Sequence, residues 1–167
     1  MTARRANSAD LAQILDVYAC ARAFMKANKN PDQWGDIYPP KELVEQDIKE
    51  RILWVIEDSE APEDEKTILG AFAFFPHGDP IYNNIEGKWL NDLPHAAIHR
   101  VASSGKRRGI LGECIKFCLS NSCNLKIDTH QDNIAMQNAL AKQGFTLCGK
   151  IFLENGEERL AYQKYAE

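Results

Sequence analysis

The chain has 167 residues, of which 44% are hydrophobic and 26% are charged, and its formal net charge is −4. This length and composition are typical of a globular protein, and we expect residues 1–167 to form one domain. The negative net charge argues against nucleic acid or an anionic membrane as a partner. Because no apolar run approaches the ~20 residues of a membrane span and the first residues lack the apolar core of a secretory signal, we expect a cytoplasmic protein.

The cysteines are consistent with that compartment. Their number is odd, and they stand at positions 20, 114, 118, 123 and 148. An odd number without an export signal favours reduced thiols. Since no Cys-x-x-Cys pair occurs and no histidine lies at ligand spacing beside them, we expect no metal site.

The first half of the chain predicts a strand, two helices and a hairpin. TARRA predicts a short strand. Ser8 is the predicted N-cap of the following helix, and the segment NKNPDQWGDIYPP, with its prolines and glycine, ends that helix. A second helix is predicted from Lys41 to Arg51. ILWVIE and TILGAFAFF predict the two strands of a hairpin joined by the charged turn SEAPEDEK. The next segment, PHGDPIYNNIEGKWLNDLPH, is irregular and rich in aromatic residues.

The second half alternates strands and helices. AAIHRVAS and LKIDTH predict strands, each followed by a helix, in RRGILGECIKFCLSN and DNIAMQNALAKQG. FTLCGKIFL and ERLAYQKY predict a final hairpin around the turn at Asn155-Gly156. The order β-α-α-β-β-β-α-β-α-β-β predicts a mixed sheet, with parallel pairing in the middle and antiparallel hairpins at the flanks.

A basic cluster stands at one helix start in this acidic chain. Lys106, Arg107 and Arg108 directly precede Gly109. A helix N-terminus exposes unpaired N–H groups, and a glycine there lets an anion approach the backbone, so the segment can form a phosphate cradle. The alternative is a solvated basic turn. The spacing of the glycines matches neither a P-loop nor the dinucleotide fingerprint.

A third cradle fits better. RVASSGKRRGILGECIKFC resembles the acetyl-CoA motif of the GNAT acetyltransferase superfamily, Arg/Gln-x-x-Gly-x-Gly/Ala. Lys106 then takes the Arg/Gln position and Gly109 the first glycine, while Leu111 occupies the second small position and Gly112 follows one residue late. The resemblance implies a cofactor-binding segment made of Lys106, Arg107, Arg108, Gly109, Ile110, Leu111 and Gly112.

The following helix resembles the same superfamily. DNIAMQNALAKQGF is similar to Asn-x-x-Ala-x-x-x-Tyr-x-x-x-Gly-Phe, with Met136 at the small position and Gly144-Phe145 at the Gly-Phe pair. The resemblance implies that Asn133 contacts the pantetheine arm of the cofactor. The local pattern also predicts Asn133 as a helix N-cap, and both roles are compatible.

The two motifs together imply the GNAT fold and its activity. This is an α/β (α+β) fold with a mixed, mostly antiparallel sheet of about seven strands, helices on both faces and a splay between strands four and five. Those strands are AAIHRVAS and LKIDTH, and the backbone of Val101 and Ala102 would contact the pantetheine arm. The chain looks like the small stand-alone bacterial-type members.

The implied function is N-acetyl transfer, by direct attack, from acetyl-CoA to a primary amine of a small molecule or peptide, without a metal. The alternative is a non-catalytic acyl-CoA-binding sensor on the same fold. The implied partners are a CoA thioester and an amine acceptor, and a homodimer is compatible with the sequence.

Catalytic groups are harder to assign. The tyrosine that usually serves as general acid in the family corresponds to Leu140 here. His99 is the candidate base, because a histidine pKa near 6.5 suits proton transfer at neutral pH, and a hydrogen-bonded core histidine is the alternative. His130 and an acyl-forming Cys148 are further candidates. Strand alternation predicts that His99 shares a face with Ala97 and Val101, opposite Ile98, Arg100 and Ala102.

Aromatic residues in the irregular segments are candidates for the acceptor pocket. Trp34 and Tyr38 lie in the first segment, and Tyr82 and Trp89 in the second. Loop aromatics often line binding clefts, although they also fold onto the core.

Overall fold

The computed structural model describes residues 1–62 and 67–166. Within them the strands are β1 (Thr2–Arg5), β2 (Leu53–Glu57), β3 (Ile68–Phe75), β4 (Glu86–Gly87), β5 (Ala96–Ser103), β6 (Asn124–Thr129), β7 (Thr146–Phe152) and β8 (Glu158–Tyr165). The α helices are α1 (Leu11–Ala27), α2 (Lys41–Lys49), α3 (Ile110–Leu119) and α4 (Ile134–Lys142). The predicted element order is present, with the two-residue β4 as an addition in the irregular aromatic segment.

The strands form one open sheet. Their order is β1-β2-β3-β5-β6-β8-β7-β4. Only β5 and β6 pair in parallel, and the other neighbours are antiparallel. The predicted mixed, mostly antiparallel α/β fold is therefore confirmed, with eight strands instead of about seven.

Helices cover both faces of the sheet. On one face, α1 and α2 bury Ile14, Val17 and Val44 against Val55 and Ala71. On the other face, the core contains α3 and α4 residues Ile110, Cys114, Ile115, Cys118 and Leu140 with the strand residues Phe72, Ile98, Leu125 and Ile127. Each large aliphatic side chain buried in this way stabilises the fold by about 1.5–3 kcal/mol.

A β-bulge in β5 changes which side chains share a face. Ala73 pairs with His99 and Ala71 with Ala102, so two residues of β5 lie opposite one residue of β3. Arg100 is one of the two, and its φ of 53° lies in the left-handed region. The predicted alternation is therefore wrong beyond His99: Arg100 and Ala102 face α1 and α2 together with His99, and Val101 packs against the opposite core.

The two parallel strands separate in the middle of the sheet. Pairing between β5 and β6 runs only from Ala96–Leu125 to Ile98–Ile127. Beyond those residues β5 continues to Ser103 and β6 to Thr129, so the sheet opens between them. The bulge at Arg100 lies at this point, and bulges bend the strand that carries them.

Several local predictions need correction. The first helical turn is a 3-10 helix capped by the side chain of Asn7, which forms a capping box with Asp10, and not by Ser8. The second helix ends at Lys49, two residues early. The predicted charged turn covers residues 59–66, of which 63–66 lie outside the described residues. Among the described helices, none is both long and apolar enough to cross a bilayer.

Candidate functional site

The opening between β5 and β6 leads into a central cleft of about 510 Å³. Its walls come from the segment between α1 and α2, the segment after β3, the ends of β5 and β6, and the β7–β8 turn. The lining includes Asp32, Gln33, Trp34, Tyr38, Asp79, Ile81, His99, Arg100, Val101, Asp128, Asn133, Leu153, Asn155, Glu157 and Arg159.

The predicted cradle lies at the end of β5. Gly109 is the N-cap of α3 with φ 90°, a conformation that favours glycine. The N–H groups of the first turn that follows have no partner within the helix. Lys106 and Arg108 are exposed, whereas Arg107 is bound by Asp58 at 2.7 Å. The structure therefore leaves two of the three basic side chains extended into solvent near this helix start.

The two residues after the helix start have packing roles. Leu111 lies against the core formed by α3 and α4, which explains an apolar residue at a position where the family pattern has a small one. An added Cβ on Gly112 would lie 3.4 Å from the Gln143 side chain. Gly112 therefore lies beside the end of α4 at an ordinary contact distance.

Val101 and Asn133, which are predicted to contact the pantetheine arm, both line the cleft. Val101 lines the cleft, while Ala102 is buried and pairs with Ala71. The Asn133 Oδ1 caps α4 by accepting from the Met136 N–H at 3.1 Å. Its Nδ2 donates to Gln33 Oε1 at 2.8 Å. The asparagine is an N-cap, as the local pattern predicts, and it also joins α4 to the α1–α2 segment.

His99 lies among carboxylates. Its Nε2 is 3.0 Å from Asp79 Oδ2, and its Nδ1 is 3.8 Å from Asp128 Oδ1. The Tyr82 ring stacks on the imidazole with 5.7 Å between centroids, and the Tyr82 hydroxyl donates to Asp128 Oδ1 at 2.7 Å. The Nε2 atom is shielded from solvent. A ligand in the cleft therefore meets Asp79 before it meets this nitrogen.

Asp79 is held in place from two sides. It caps the 3-10 helix Pro80–Asn83, and its Oδ1 accepts from the Ile81 N–H at 2.9 Å. The contact with His99 and the Ile81 N–H lower the pKa of Asp79 against the opposing effect of burial. Sequence reasoning missed this residue. The available signal was Asp79-Pro80, which is a typical start of a helical turn.

Arg100 forms an ion pair with Asp47 on the same face of the sheet as His99. Its Nε and Nη2 lie 2.9 and 2.7 Å from Asp47 Oδ2. Burial raises the pKa of Asp47, and Arg100 opposes this effect. Arg159, the second arginine of the cleft, is buried and lies 2.8 Å from Glu157. Both cationic side chains are thus paired with carboxylates, while Asp79 contacts His99 and the Ile81 N–H, and Asp128 contacts His99 and the Tyr82 hydroxyl.

The four candidate aromatics divide into two pairs. Trp34 and Tyr38 line the cleft, with 6.0 Å between ring centroids. Tyr82 and Trp89 lie behind the cleft wall, contrary to expectation: Tyr82 is buried under His99, and Trp89 packs edge-on against Tyr82. Tyr82 can act on the cleft only through His99 and Asp128.

The remaining catalytic candidates are not brought into the cleft. His130 lies 3.6 Å from Asp132 and is not among the lining residues. Cys148 is on β7, where burial raises its thiol pKa, which disfavours the nucleophilic thiolate. Leu140 is fully buried in the core under α4. The described residues contain no group of His, Cys, Asp and Glu suited to a metal ion.

Comparison with known proteins identifies the architecture. No family model matches the sequence, and no curated protein matches it significantly. A GNAT-family acetyltransferase from Streptococcus agalactiae 2603 superposes with a TM-score of 0.85 at 29% identity, over 99% of this chain and 95% of that one. A GNAT-family acetyltransferase from Listeria monocytogenes 4b F2365 gives 0.66 at 20% identity, over 98% and 93%. The NatB acetyltransferase complex bound to CoA and MES gives 0.61 at 12% identity, over 100% of each chain, and shares the fold alone.

Proposed function

Because this chain is a member of the GNAT superfamily of acetyltransferases, we propose that it acts as a single-domain, acetyl-CoA-dependent N-acetyltransferase with a primary amine as acceptor. The observation that carries the proposal is the arrangement around the split sheet. A glycine-capped helix with exposed basic residues follows β5, and an imidazole in contact with two carboxylates lies on β5 at the cleft.

The cofactor side is the surface around the start of α3. Acetyl-CoA carries phosphates, and the first-turn N–H groups after Gly109 together with Lys106 and Arg108 suit such an anion. The pantetheine arm would run along β5 at Val101 toward Asn133, both of which line the cleft. The thioester then lies in the opening between β5 and β6.

The acceptor side is the wall that carries Asp79. A protonated amine is attracted to this carboxylate, whose lowered pKa keeps it charged at neutral pH. Attack requires the neutral amine, so one proton must leave the nitrogen. Asp79 accepts the ammonium hydrogen bond, and the proton passes to the pair formed by Asp79 and His99, whose nearest side-chain atoms are 3.0 Å apart.

The bond changes follow from these positions. The neutral nitrogen attacks the thioester carbonyl carbon, a C–N bond forms, and the C–S bond breaks as the nitrogen loses its second proton to water. The CoA thiolate leaves and takes its proton from water, because Leu140 stands where the family has its tyrosine and is buried away from the cleft. The products are the acetylated amine and CoA, and one proton is released overall.

The test is thiol release from acetyl-CoA across a panel of primary amines, beside a calorimetric titration with acetyl-CoA. We expect acetyl-CoA binding and amine-dependent thiol release. The second candidate function, an acyl-CoA sensor, is favoured by the buried Leu140. Binding of acetyl-CoA without thiol release for any amine would establish the sensor, and absence of binding would refute both functions.

A further inference from the structure

A second depression, here called the side groove, opens beside the central cleft. Its lining includes Asp79, Ile81, Asn84, Phe152, Leu153 and Asn155. One wall is the 3-10 helix Pro80–Asn83 and its flanks, and the other is the end of β7 with the turn into β8. Four residues, Asp79, Ile81, Leu153 and Asn155, line both the cleft and the groove. The two spaces therefore meet at Asp79.

The groove carries both apolar side chains and side-chain amides. Ile81 and Phe152 offer hydrophobic contacts, and Asn84 and Asn155 offer donors and acceptors. Phe152 is 41% exposed, so its ring offers apolar surface to the groove. Lysine and arginine do not occur among the lining residues. A groove without basic side chains and with the Asp79 carboxylate at one end suits an occupant that is neutral along its length and positive at the end near Asp79.

The edge of β7 adds main-chain groups to the same wall. Its outer partner β4 covers only Gly149 and Lys150. Leu153 N–H donates inward to the carbonyl oxygen of Glu157, the residue before β8. Since the backbone groups of successive strand residues point in opposite directions, the N–H and C=O of Phe152 are directed to the outer edge, toward the groove. An unpaired strand edge binds another extended chain by adding it as a strand.

From this geometry we infer that the acceptor is the N-terminal segment of an extended peptide, an inference that rests on the proposed acetyltransferase function. The peptide lies in the side groove, pairs with the Phe152 backbone and places its α-amine at Asp79. An α-amine suits the site, because its pKa of about 7.7–8.0 is well below the ~10.4 of a lysine side chain and less work is needed to neutralise it.

The first experiment compares acceptors with the full chain and acetyl-CoA. The probes are alanine amide, tetra-alanine amide, an N-terminally blocked tetrapeptide with one lysine, and a linear polyamine. We expect kcat/KM for tetra-alanine amide to exceed that for each of the others by at least about tenfold, since only this probe both fills the groove and presents an α-amine. Equal or better turnover of alanine amide, the blocked peptide or the polyamine would overturn the inference.

The second experiment uses variants at one position. Phe152→Pro removes the outward N–H at the end of an edge strand, where proline is tolerated, and Phe152→Ala keeps the N–H but removes the ring. We expect Phe152→Pro to raise the ratio of KM for tetra-alanine amide to KM for alanine amide about tenfold. Leu147→Ala, at an exposed leucine of the same strand away from the groove, is the control. Melting curves verify folding, and an unchanged KM ratio in folded Phe152→Pro would contradict the inference.

Failure of the proposed function can be recognised separately. If no amine is acetylated, titration of tetra-alanine amide into the acetyl-CoA-loaded protein still measures the groove. A Kd that rises about tenfold in Phe152→Pro supports peptide binding even then, and absence of binding refutes it.

Discussion

Asp79 and His99 reach the same point of the cleft from different elements. His99 comes from β5 and Asp79 from the segment after β3, and 3.0 Å separates their nearest side-chain atoms. The strand that carries His99 could be predicted, because AAIHRVAS is an apolar-rich run that directly precedes the acetyl-CoA motif. The position of Asp79 beside His99 could not be predicted. It depends on the path of a 20-residue irregular segment, which has no periodicity from which a structure could be predicted.

Asp79→Asn tests the acceptor side. The amide retains an oxygen that can accept from Ile81 N–H, so the turn should persist, but the charge that attracts the ammonium is lost. We expect kcat/KM for a good amine to fall about a hundredfold, at the lower end of acid–base contributions. Asp32→Asn, at an exposed carboxylate of the same cleft, should change it less than about twofold. Equal losses in the two variants would show that only the overall charge matters.

Leu140→Tyr tests whether the usual acid can be restored. Leu140 is fully buried, so the larger ring and its hydroxyl must displace core atoms. We expect a loss of unfolding free energy of about 1–3 kcal/mol, measured by urea denaturation, and no gain in turnover. Faster turnover at unchanged stability would show that this position reaches the thioester after all.

At the level of elements, periodicity and turn residues predict the helices and strands well. The β5 and β8 strands have the predicted bounds, and the antiparallel pairing of β2 with β3 follows from their order. The bulge at Arg100 was missed because it depends on how β3 pairs with β5, which a single strand pattern does not contain. The bulge brings Arg100 to the His99 face, where it pairs with Asp47.

The start of α3 offers a matched pair of glycine variants. Gly109 and Gly105 have φ of 90° and 76°, so alanine strains the backbone at both positions. Only Gly109 caps the helix whose N–H groups form the predicted cradle. We expect Gly109→Ala to raise the acetyl-CoA Kd about tenfold and Gly105→Ala to change it less than about twofold, with similar melting temperatures. Calorimetric titration measures both, and equal Kd values would argue against a phosphate site at Gly109.

On the scale of the whole molecule, the sheet is tied together at its β1 edge by one arginine. Arg4 on β1 binds Asp10 at the start of the first helix and Glu57 on β2, each at 2.7 Å. Hydrogen bonds from Arg4 and from the Asn7 N–H hold the pKa of Asp10 below its usual value, although burial acts to raise it. The sequence shows charges in these places but not that they meet, because the partners are 6 and 53 residues apart.

This arrangement predicts how stability responds to acid. The folded-state pKa of Asp10 is lower than in the unfolded chain, so its contribution is complete above the unfolded pKa of about 3.9 and is lost as pH falls through the folded pKa. We expect the melting temperature to drop as pH decreases below about 4, and Asp10→Asn to lower it at pH 7 and to weaken the acid dependence. Asp16→Asn, at an exposed position of α1, should leave both unchanged. The same acid dependence in Asp10→Asn as in the parent chain would mean that other carboxylates, and not the junction at Arg4, govern acid unfolding.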